Sequence, residues 1–205
     1  MTDGATPAAL WGATLSVLAS HIAHDFRNAL NGVAVNLEVV RGRSARGAAA
    51  SDIAPFAATA AAQFEAASSA AEALLAFARP EPMAVDVSAI VQRLAKLLTL
   101  RANSEVRLTD HSDGQARTSA PGDIVRAAVA RSVLTGLGSG ASVACEITVG
   151  DGIFLSVTGA TQLPTPDSDL LDIAAIHGVG ITSRGQTLEL RFPAVDPRAT
   201  PDAPA

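Results

Sequence analysis

The sequence predicts an α+β protein in two parts: an N-terminal antiparallel helical hairpin that dimerises into a four-helix bundle, and a C-terminal α/β sandwich domain. Two stretches with apolar residues at every third or fourth position predict the hairpin, and mixed helical and strand patterns follow Pro82. With 205 residues and 48% hydrophobic side chains, the chain can build one sizeable core or two small ones. We expect a flexible N-terminus over 1–12, the hairpin over 13–82, the sandwich over 83–194 and a disordered tail over 195–205.

The predicted hairpin contains two long helices. The first is expected to run from about Leu15 to Val40, on a single apolar stripe. The stripe consists of Leu15, Leu18, Ile22, Phe26, Ala29, Val33, Leu37 and Val40. The second helix is rich in alanine and is predicted over 53–79, with Ser51 and Asp52 as candidate caps. Two such helices enclose too narrow an interior to bury both of their apolar faces, so we expect a homodimer.

The second part of the chain alternates between helical and strand patterns. The predicted elements are a helix over 87–100, a strand over 105–109, a helix over 121–137, strands over 141–149 and 153–157, a helix over 168–177, and a hairpin of 180–182 with 187–192. Helices and strands in this order predict a layer of helices on an antiparallel or mixed sheet.

Composition excludes several classes of function. The formal net charge is −5, and there is no tyrosine. The basic residues are also scattered along the chain, so we expect no nucleic-acid partner. Cys145 is the only cysteine, which rules out an internal disulfide framework and a multi-cysteine metal site. Polar residues interrupt the apolar stretch over 8–23, so we expect neither a signal peptide nor a membrane span, and a cytoplasmic location.

One segment of the first helix carries candidate chemistry. Residues 24–31, His-Asp-Phe-Arg-Asn-Ala-Leu-Asn, place a histidine, an acid, a base and two amides together. A neutral imidazole is a good nucleophile toward phosphorus, and an adjacent carboxylate can orient its ring and hold the proton that moves during transfer. His24 lies two positions past Ile22 of the apolar stripe, about 200° around the helix, and should face solvent. We therefore predict that His24 is a phosphoryl acceptor with Asp25 as its partner.

The same segment carries a family resemblance. Residues 19–31 resemble the H-box of sensor histidine kinases, and residues 74–80, Leu-Leu-Ala-Phe-Ala-Arg-Pro, resemble the end of their second dimerisation helix. The resemblance implies that His24 is phosphorylated and that Asp25 is its acid/base partner. Asn28 stands where the family often places a residue that positions water for dephosphorylation of a receiver domain. Arg27, inside the motif, is a further candidate catalytic residue.

A row of residues on the first helix extends from His24 toward the turn. Steps of three or four positions lead from His24 through Asn28 to Asn31, Val35 and Glu38, all on the solvent side. Val35 is an unexpected apolar residue in this row. We interpret Asn31, Val35 and Glu38 as part of a docking surface for a receiver domain.

The order of elements in the second part resembles the ATP-binding domain of histidine kinases, but the nucleotide chemistry is missing. Arg131 and Thr135 stand where that family places two asparagines, and a cation opposes magnesium binding. Residues 158–163 lack the expected adenine-reading aspartate, and 164–169 lack a glycine-rich lid. We therefore expect a degenerate ATPase-like domain, with no cofactor and no metal bound by this chain.

An intact H-box joined to such a domain resembles the ChpT-type histidine phosphotransferases. This resemblance implies that a homodimer relays a phosphoryl group between receiver-domain aspartates through His24. The implied partners are response regulator receiver domains, with a phosphorylated hybrid kinase or receiver as donor. Magnesium is expected on the partner receiver domain.

Three alternatives remain open from sequence. The chain could be a sensor histidine kinase with an unorthodox ATP site. It could also be a non-catalytic scaffold that binds a receiver without carrying phosphate. The third alternative is a receiver phosphatase that uses Asn28.

Overall fold

The computed structural model describes residues 6–80, 85–98, 104–138, 140 and 142–195. Two long helices, α1 (Pro7–Ala45) and α2 (Ala50–Ala78), form an antiparallel hairpin. Gly47 reverses the chain between them with a φ of +73°, a conformation that glycine adopts without steric cost. Neither helix, nor any other in the described residues, has the length and apolar character that a bilayer crossing requires.

The helix α1 begins earlier than the periodicity predicts. Thr6 caps it by accepting a hydrogen bond from the Ala9 amide at 3.2 Å, and Pro7 occupies the first turn. Leu10 and Trp11 are buried against the second part of the chain. The predicted flexible N-terminus over 1–12 is therefore wrong for residues 7–12, because tertiary burial orders them. Residues 1–5 lie outside the described part.

Small residues and one amide pair join the two helices of the hairpin. Ala60, Ala67 and Ala70 are buried where α1 approaches α2. The amide of Asn36 donates to the Gln63 side-chain oxygen at 3.3 Å, which fixes one register between the helices. The predicted caps of α2, Ser51 and Asp52, are wrong: the helix begins at Ala50 and has no side-chain cap.

The second part of the chain is a mixed α/β domain. Its elements are β1 (Val85–Asp86), α3 (Val87–Leu98), β2 (Glu105–Asp110), β3 (Arg117–Thr118), α4 (Gly122–Gly138), β4 (Ser142–Val149), β5 (Ile153–Thr158), α5 (Ser168–Ile176), β6 (Gly180–Arg184) and β7 (Thr187–Phe192). The main sheet has the order β2-β4-β5-β7-β6, parallel only between β2 and β4. The predicted α+β class is confirmed, with a five-stranded mixed sheet and helices packed on it.

The strands β1 and β3 were not predicted from the sequence. They pair only Val85 with Thr118 and Asp86 with Arg117, and two residues are too few to show a strand period. The tail was predicted to be disordered from residue 195, but the Val195 amide donates to the Arg117 carbonyl at 3.0 Å. Residues 196–205, and the predicted domain boundary between 82 and 83, lie outside the described residues.

The helix α4 lies at the centre of one continuous core. Most of its residues are buried, on every side of the helix, because the sheet covers one face and the hairpin covers another. The core extends from Trp11 and Leu18 of α1 and Phe77 of α2 to the inner face of the sheet. The hairpin and the α/β domain therefore share a hydrophobic core rather than meeting across a polar surface.

A buried arginine joins α4 to both helices of the hairpin. Arg126 is only 2% exposed, and its guanidinium lies 4.6 Å from the centre of the Trp11 ring. It donates to the carbonyl oxygens of Phe77 and Arg79 and pairs with the Asp123 carboxylate at 2.5 Å. The helix α2 has no basic residue in its last turn, so Arg126 supplies the positive charge that the helix C-terminus favours.

Replacing Arg126 with methionine should therefore destabilise the whole chain. The change leaves the Asp123 charge unpaired and the two carbonyl groups without their donor, at a cost of about 3 kcal/mol in the free energy of unfolding. Urea denaturation followed by circular dichroism measures this. The exposed Arg184→Met is the matched control, with an expected change within about 0.5 kcal/mol. A loss below about 1 kcal/mol in Arg126→Met would contradict the assigned role.

Candidate functional site

The candidate site is centred on His24, in the middle of α1. Its side chain is 71% exposed, and its Nδ1 atom lies 3.3 Å from a carboxylate oxygen of Asp25 and 3.2 Å from the amide nitrogen of Asn28. Asp25 is 21% exposed, which places its carboxylate at the edge of the hairpin rather than in bulk solvent. The helix sets this cluster by itself, because Asn28 lies one turn from His24 on the same side of α1 and the Asp25 side chain reaches the ring from the next position in sequence.

The geometry leaves the second ring nitrogen of His24 open. In the described part of the chain, Nε2 has no hydrogen-bond partner, and it faces solvent on the exposed side of α1. When Nδ1 carries the proton and donates a hydrogen bond to the Asp25 carboxylate, the lone pair of the neutral imidazole lies on Nε2. The arrangement thus presents a nucleophilic nitrogen whose ring is oriented from the other side by an acid.

The structure separates the other predicted site residues. Arg27 and Asn31 line a groove between α1 and α2, and no hydrogen bond among the described residues joins either to His24. Val35 is 63% exposed and lies about three helical turns beyond His24. Glu38 pairs with Arg41 at 3.0 Å on the solvent face. His24, Asp25 and Asn28 therefore form one cluster, while Val35 and Glu38 lie further along the same helix.

An apolar groove runs beside the His24 cluster. It encloses about 710 Å³ between the two helices of the hairpin. Its lining residues are Ala19, Ile22, Ala23, Phe26, Arg27, Leu30, Asn31, Ala70, Ala71, Leu74 and Leu75. Leu30 is 42% exposed and Leu75 is 65% exposed, so one chain alone leaves apolar side chains of this groove uncovered.

The α/β domain places Arg131 and Thr135 on α4, beside a small polar cleft. The Arg131 guanidinium pairs with the Asp167 carboxylate at 2.5 Å and donates to the Thr14 hydroxyl of α1 at 2.8 Å. Asp167 also caps α5 by accepting from the Leu170 amide at 2.9 Å. Where the family resemblance would place magnesium ligands, the described chain holds an arginine that is tied to the hairpin.

The described residues offer little other reactive chemistry. Cys145 is buried in β4, and burial raises the pKa of its thiol to about 12, so the thiol stays protonated and unreactive near neutral pH. No group of three His, Cys, Asp or Glu residues suited to a metal ion occurs among the residues that the structure describes. Among the described residues, His24 is thus the exposed nucleophile that contacts both an acid, Asp25, and an amide, Asn28.

Sequence reasoning missed two groups that hold the site in place. It did not anticipate Arg126 as the link between α4 and the hairpin, or Thr14 as the partner of Arg131. Thr14 and Arg131 are 117 positions apart, and neither has a local pattern that signals the contact. The one signal in the sequence for Arg126 was its position inside the apolar run of residues 124–130.

Comparisons with known proteins support the fold. No protein-family model matches the chain, and no curated protein matches it significantly. The structure is similar to that of a bacterial phosphotransferase, with 18% identity, a TM-score of 0.50, and coverage of 88% of this chain and 94% of that one. It is also similar to a histidine kinase from Burkholderia phymatum STM815, with 14% identity, a TM-score of 0.40, and coverage of 88% and 96%.

At this level of identity the first likeness shows the fold alone. The chain shares its overall fold with that phosphotransferase, and in this chain the fold is a helical hairpin followed by a mixed α/β domain. The predicted fold class is confirmed on this point. The roles assigned to His24, Asp25, Arg27 and Asn28 remain predictions.

Proposed function

We propose that this protein is a histidine phosphotransferase of a two-component phosphorelay, in which His24 carries the phosphoryl group. The observation that carries the proposal is the open Nε2 of an exposed His24 whose Nδ1 lies 3.3 Å from the Asp25 carboxylate. The shared fold with a bacterial phosphotransferase supports the same class. The phosphate donor and acceptor would be the aspartates of response regulator receiver domains.

The proposed transfer follows from the chemistry of the ring. Nε2 attacks the phosphorus of a receiver phosphoaspartate, the N–P bond forms, and the bond between phosphorus and the aspartate oxygen breaks. The receiver regains its carboxylate, and the ring becomes positively charged while Nδ1 keeps its proton. The Asp25 carboxylate stabilises that charge, and a second receiver aspartate then takes the phosphoryl group by the reverse step. Magnesium is supplied by the receivers.

We also propose that the α/β domain does not supply ATP to His24. The pairing of Arg131 with Asp167 and Thr14 supports this, since a guanidinium held in the cleft repels a magnesium ion and offers it no oxygen ligand. The domain instead supports the hairpin through the core that both share. Phosphate therefore has to come from a partner, in this proposal a phosphorylated hybrid kinase or receiver.

A second copy of the chain is the proposed occupant of the apolar groove. The alanine-rich α2 allows close helix packing, and the exposed Leu75, Leu30 and Phe64 extend one apolar face along the hairpin. Two hairpins packed through this face would form a four-helix bundle, with His24 on its outer surface.

The phosphotransfer role predicts that His24→Gln accepts no label from a phosphorylated receiver. Glutamine keeps the polarity and similar size but lacks a nucleophilic nitrogen. His21→Gln, an exposed histidine one turn earlier, is the matched control and should still accept label. Denaturing gels of the protein mixed with a ³²P-labelled receiver provide the measurement.

The same assay separates the alternatives. Labelling of His24 from ATP and magnesium alone would identify a kinase. Full relay in His24→Gln would identify a non-catalytic scaffold, and release of inorganic phosphate without labelled His24 would identify a receiver phosphatase. Each outcome would overturn the proposal.

The docking surface predicts that Val35→Asp slows transfer without unfolding the protein. Val35 is 63% exposed, so a carboxylate there stays hydrated, but it would disrupt an apolar contact with the receiver at a cost of about tenfold in kcat/KM. Val149→Asp, at the end of β4 in the α/β domain, is the control and should leave transfer unchanged. Equal transfer rates for Val35→Asp and the unmodified protein would place the receiver elsewhere.

The dimer prediction is that Leu75→Glu converts the protein to a monomer. A carboxylate at the centre of the apolar interface would be buried without a partner. Size-exclusion chromatography with light scattering measures the mass in solution. Ile176→Glu changes an apolar residue on α5 that is even more exposed, at 78%, and this variant should remain dimeric. A monomeric unmodified protein, or a dimeric Leu75→Glu, would refute this arrangement.

A further inference from the structure

Two side chains approach the same nitrogen of the His24 ring. The Asp25 carboxylate oxygen lies 3.3 Å from Nδ1, and the Asn28 amide nitrogen lies 3.2 Å from the same atom. A carboxylate only accepts hydrogen bonds, whereas an amide nitrogen only donates them. Nδ1 of a neutral imidazole either carries a proton or presents a lone pair, so it can satisfy only one of these neighbours at a time.

The two contacts therefore favour opposite tautomers. Pairing with Asp25 requires the proton on Nδ1 and leaves the lone pair on Nε2, which is the nucleophilic form. Pairing with Asn28 requires the lone pair on Nδ1 and puts the proton on Nε2, which blocks attack on phosphorus from that atom. Nε2 has no hydrogen-bond partner among the described residues, so the competition at Nδ1 decides the balance.

We propose that Asn28 is a positioning residue that holds part of the His24 population in the unreactive tautomer, and that a docked phosphoryl group releases it. Asn28 lies on the exposed face of α1, four positions after His24 and between His24 and Val35. Phosphoryl oxygens are strong acceptors, so a phosphoaspartate that approaches Nε2 can take the Asn28 amide hydrogen bond. Asp25 then becomes the remaining partner of Nδ1, and the proton moves to the position that frees Nε2.

The release of Asn28 by a phosphoryl group rests on the proposed phosphotransfer function. The restraint of His24 by Asn28 is a property of the free protein. The tautomer balance of His24 exists with or without a receiver. A measurement on the full chain alone therefore tests the role of Asn28 separately from the relay.

The test is ¹⁵N NMR of the full-length protein labelled in its histidine rings, at about pH 8.5, where imidazole is neutral. The nitrogen chemical shifts report which ring nitrogen carries the proton. In Asn28→Ala the population with the proton on Nδ1 should rise about fivefold relative to the other tautomer. This is the change in an equilibrium that the loss of one hydrogen bond between neutral groups produces. Asn28→Asp, which replaces the donor with a second acceptor, should shift the balance in the same direction.

Two controls keep the result specific. Ser20→Ala removes an exposed hydroxyl one turn before His24 and should leave the ratio unchanged. Asp25→Asn removes the carboxylate and should shift the balance toward the proton on Nε2. The circular dichroism of all variants should match the unmodified protein, because each residue is at least partly exposed on one helix.

A chemical readout accompanies the spectroscopic one. Phosphoramidate phosphorylates imidazole without a protein partner, so its rate with His24 should rise in Asn28→Ala in proportion to the Nδ1-protonated fraction. An unchanged ratio in Asn28→Ala, or a fall, would overturn the proposal. A lower fraction of His24 with the proton on Nδ1 would mean that the amide oxygen of Asn28 accepts a hydrogen bond from Nδ1 and so stabilises the reactive tautomer. Failure of receiver transfer with the predicted ratio change would instead refute the proposed function alone.

Discussion

The buried guanidinium of Arg126 is the contact on which the relation between the two parts of the chain depends. It lies over the Trp11 ring, donates to carbonyls at the end of α2, and pairs with Asp123 on its own helix. A buried charge is stable only when its hydrogen bonds are satisfied, so α1, α2 and α4 must meet in one geometry. The shared core then extends that geometry from the hairpin to the sheet.

Arg131 makes a second link on the same helix. Its bonds to Thr14 and Asp167 join α1, α4 and the start of α5. Thr14 precedes His24 by ten residues, which is about 15 Å along a helix. The cleft beside Arg131 is thus separated from His24 along α1, and both arginine links oppose a movement of the α/β domain toward His24. This separation agrees with the external phosphate donor that we propose.

Local features of the fold and site were predictable, because they depend on helical spacing alone. The stripe around Leu18 and Ile22 identifies the buried side of α1, and His24 then has to face solvent with Asp25 and Asn28 nearby. The start of α1 was mispredicted because the burial of Trp11 depends on Arg126, which is far along the chain. The pairing of β1 with β3 was missed for a similar reason. It depends on a contact between separate parts of the chain, and neither two-residue strand carries a pattern of its own.

In the proposed relay, one helix holds both the active group, His24, and its restraint, Asn28. Asp25 and Asn28 are both fixed by the backbone of α1, so neither needs a conformational change of the fold to reach Nδ1. Control therefore requires only the transfer of one hydrogen bond, from the ring to an incoming acceptor. A fixed α/β domain is compatible with such control, because the event that activates His24 occurs on the exposed face of a single helix. Under the proposed function, regulation would come from the chemistry of the phosphorylated partner, while Arg126 and Arg131 keep the surface that receives it constant.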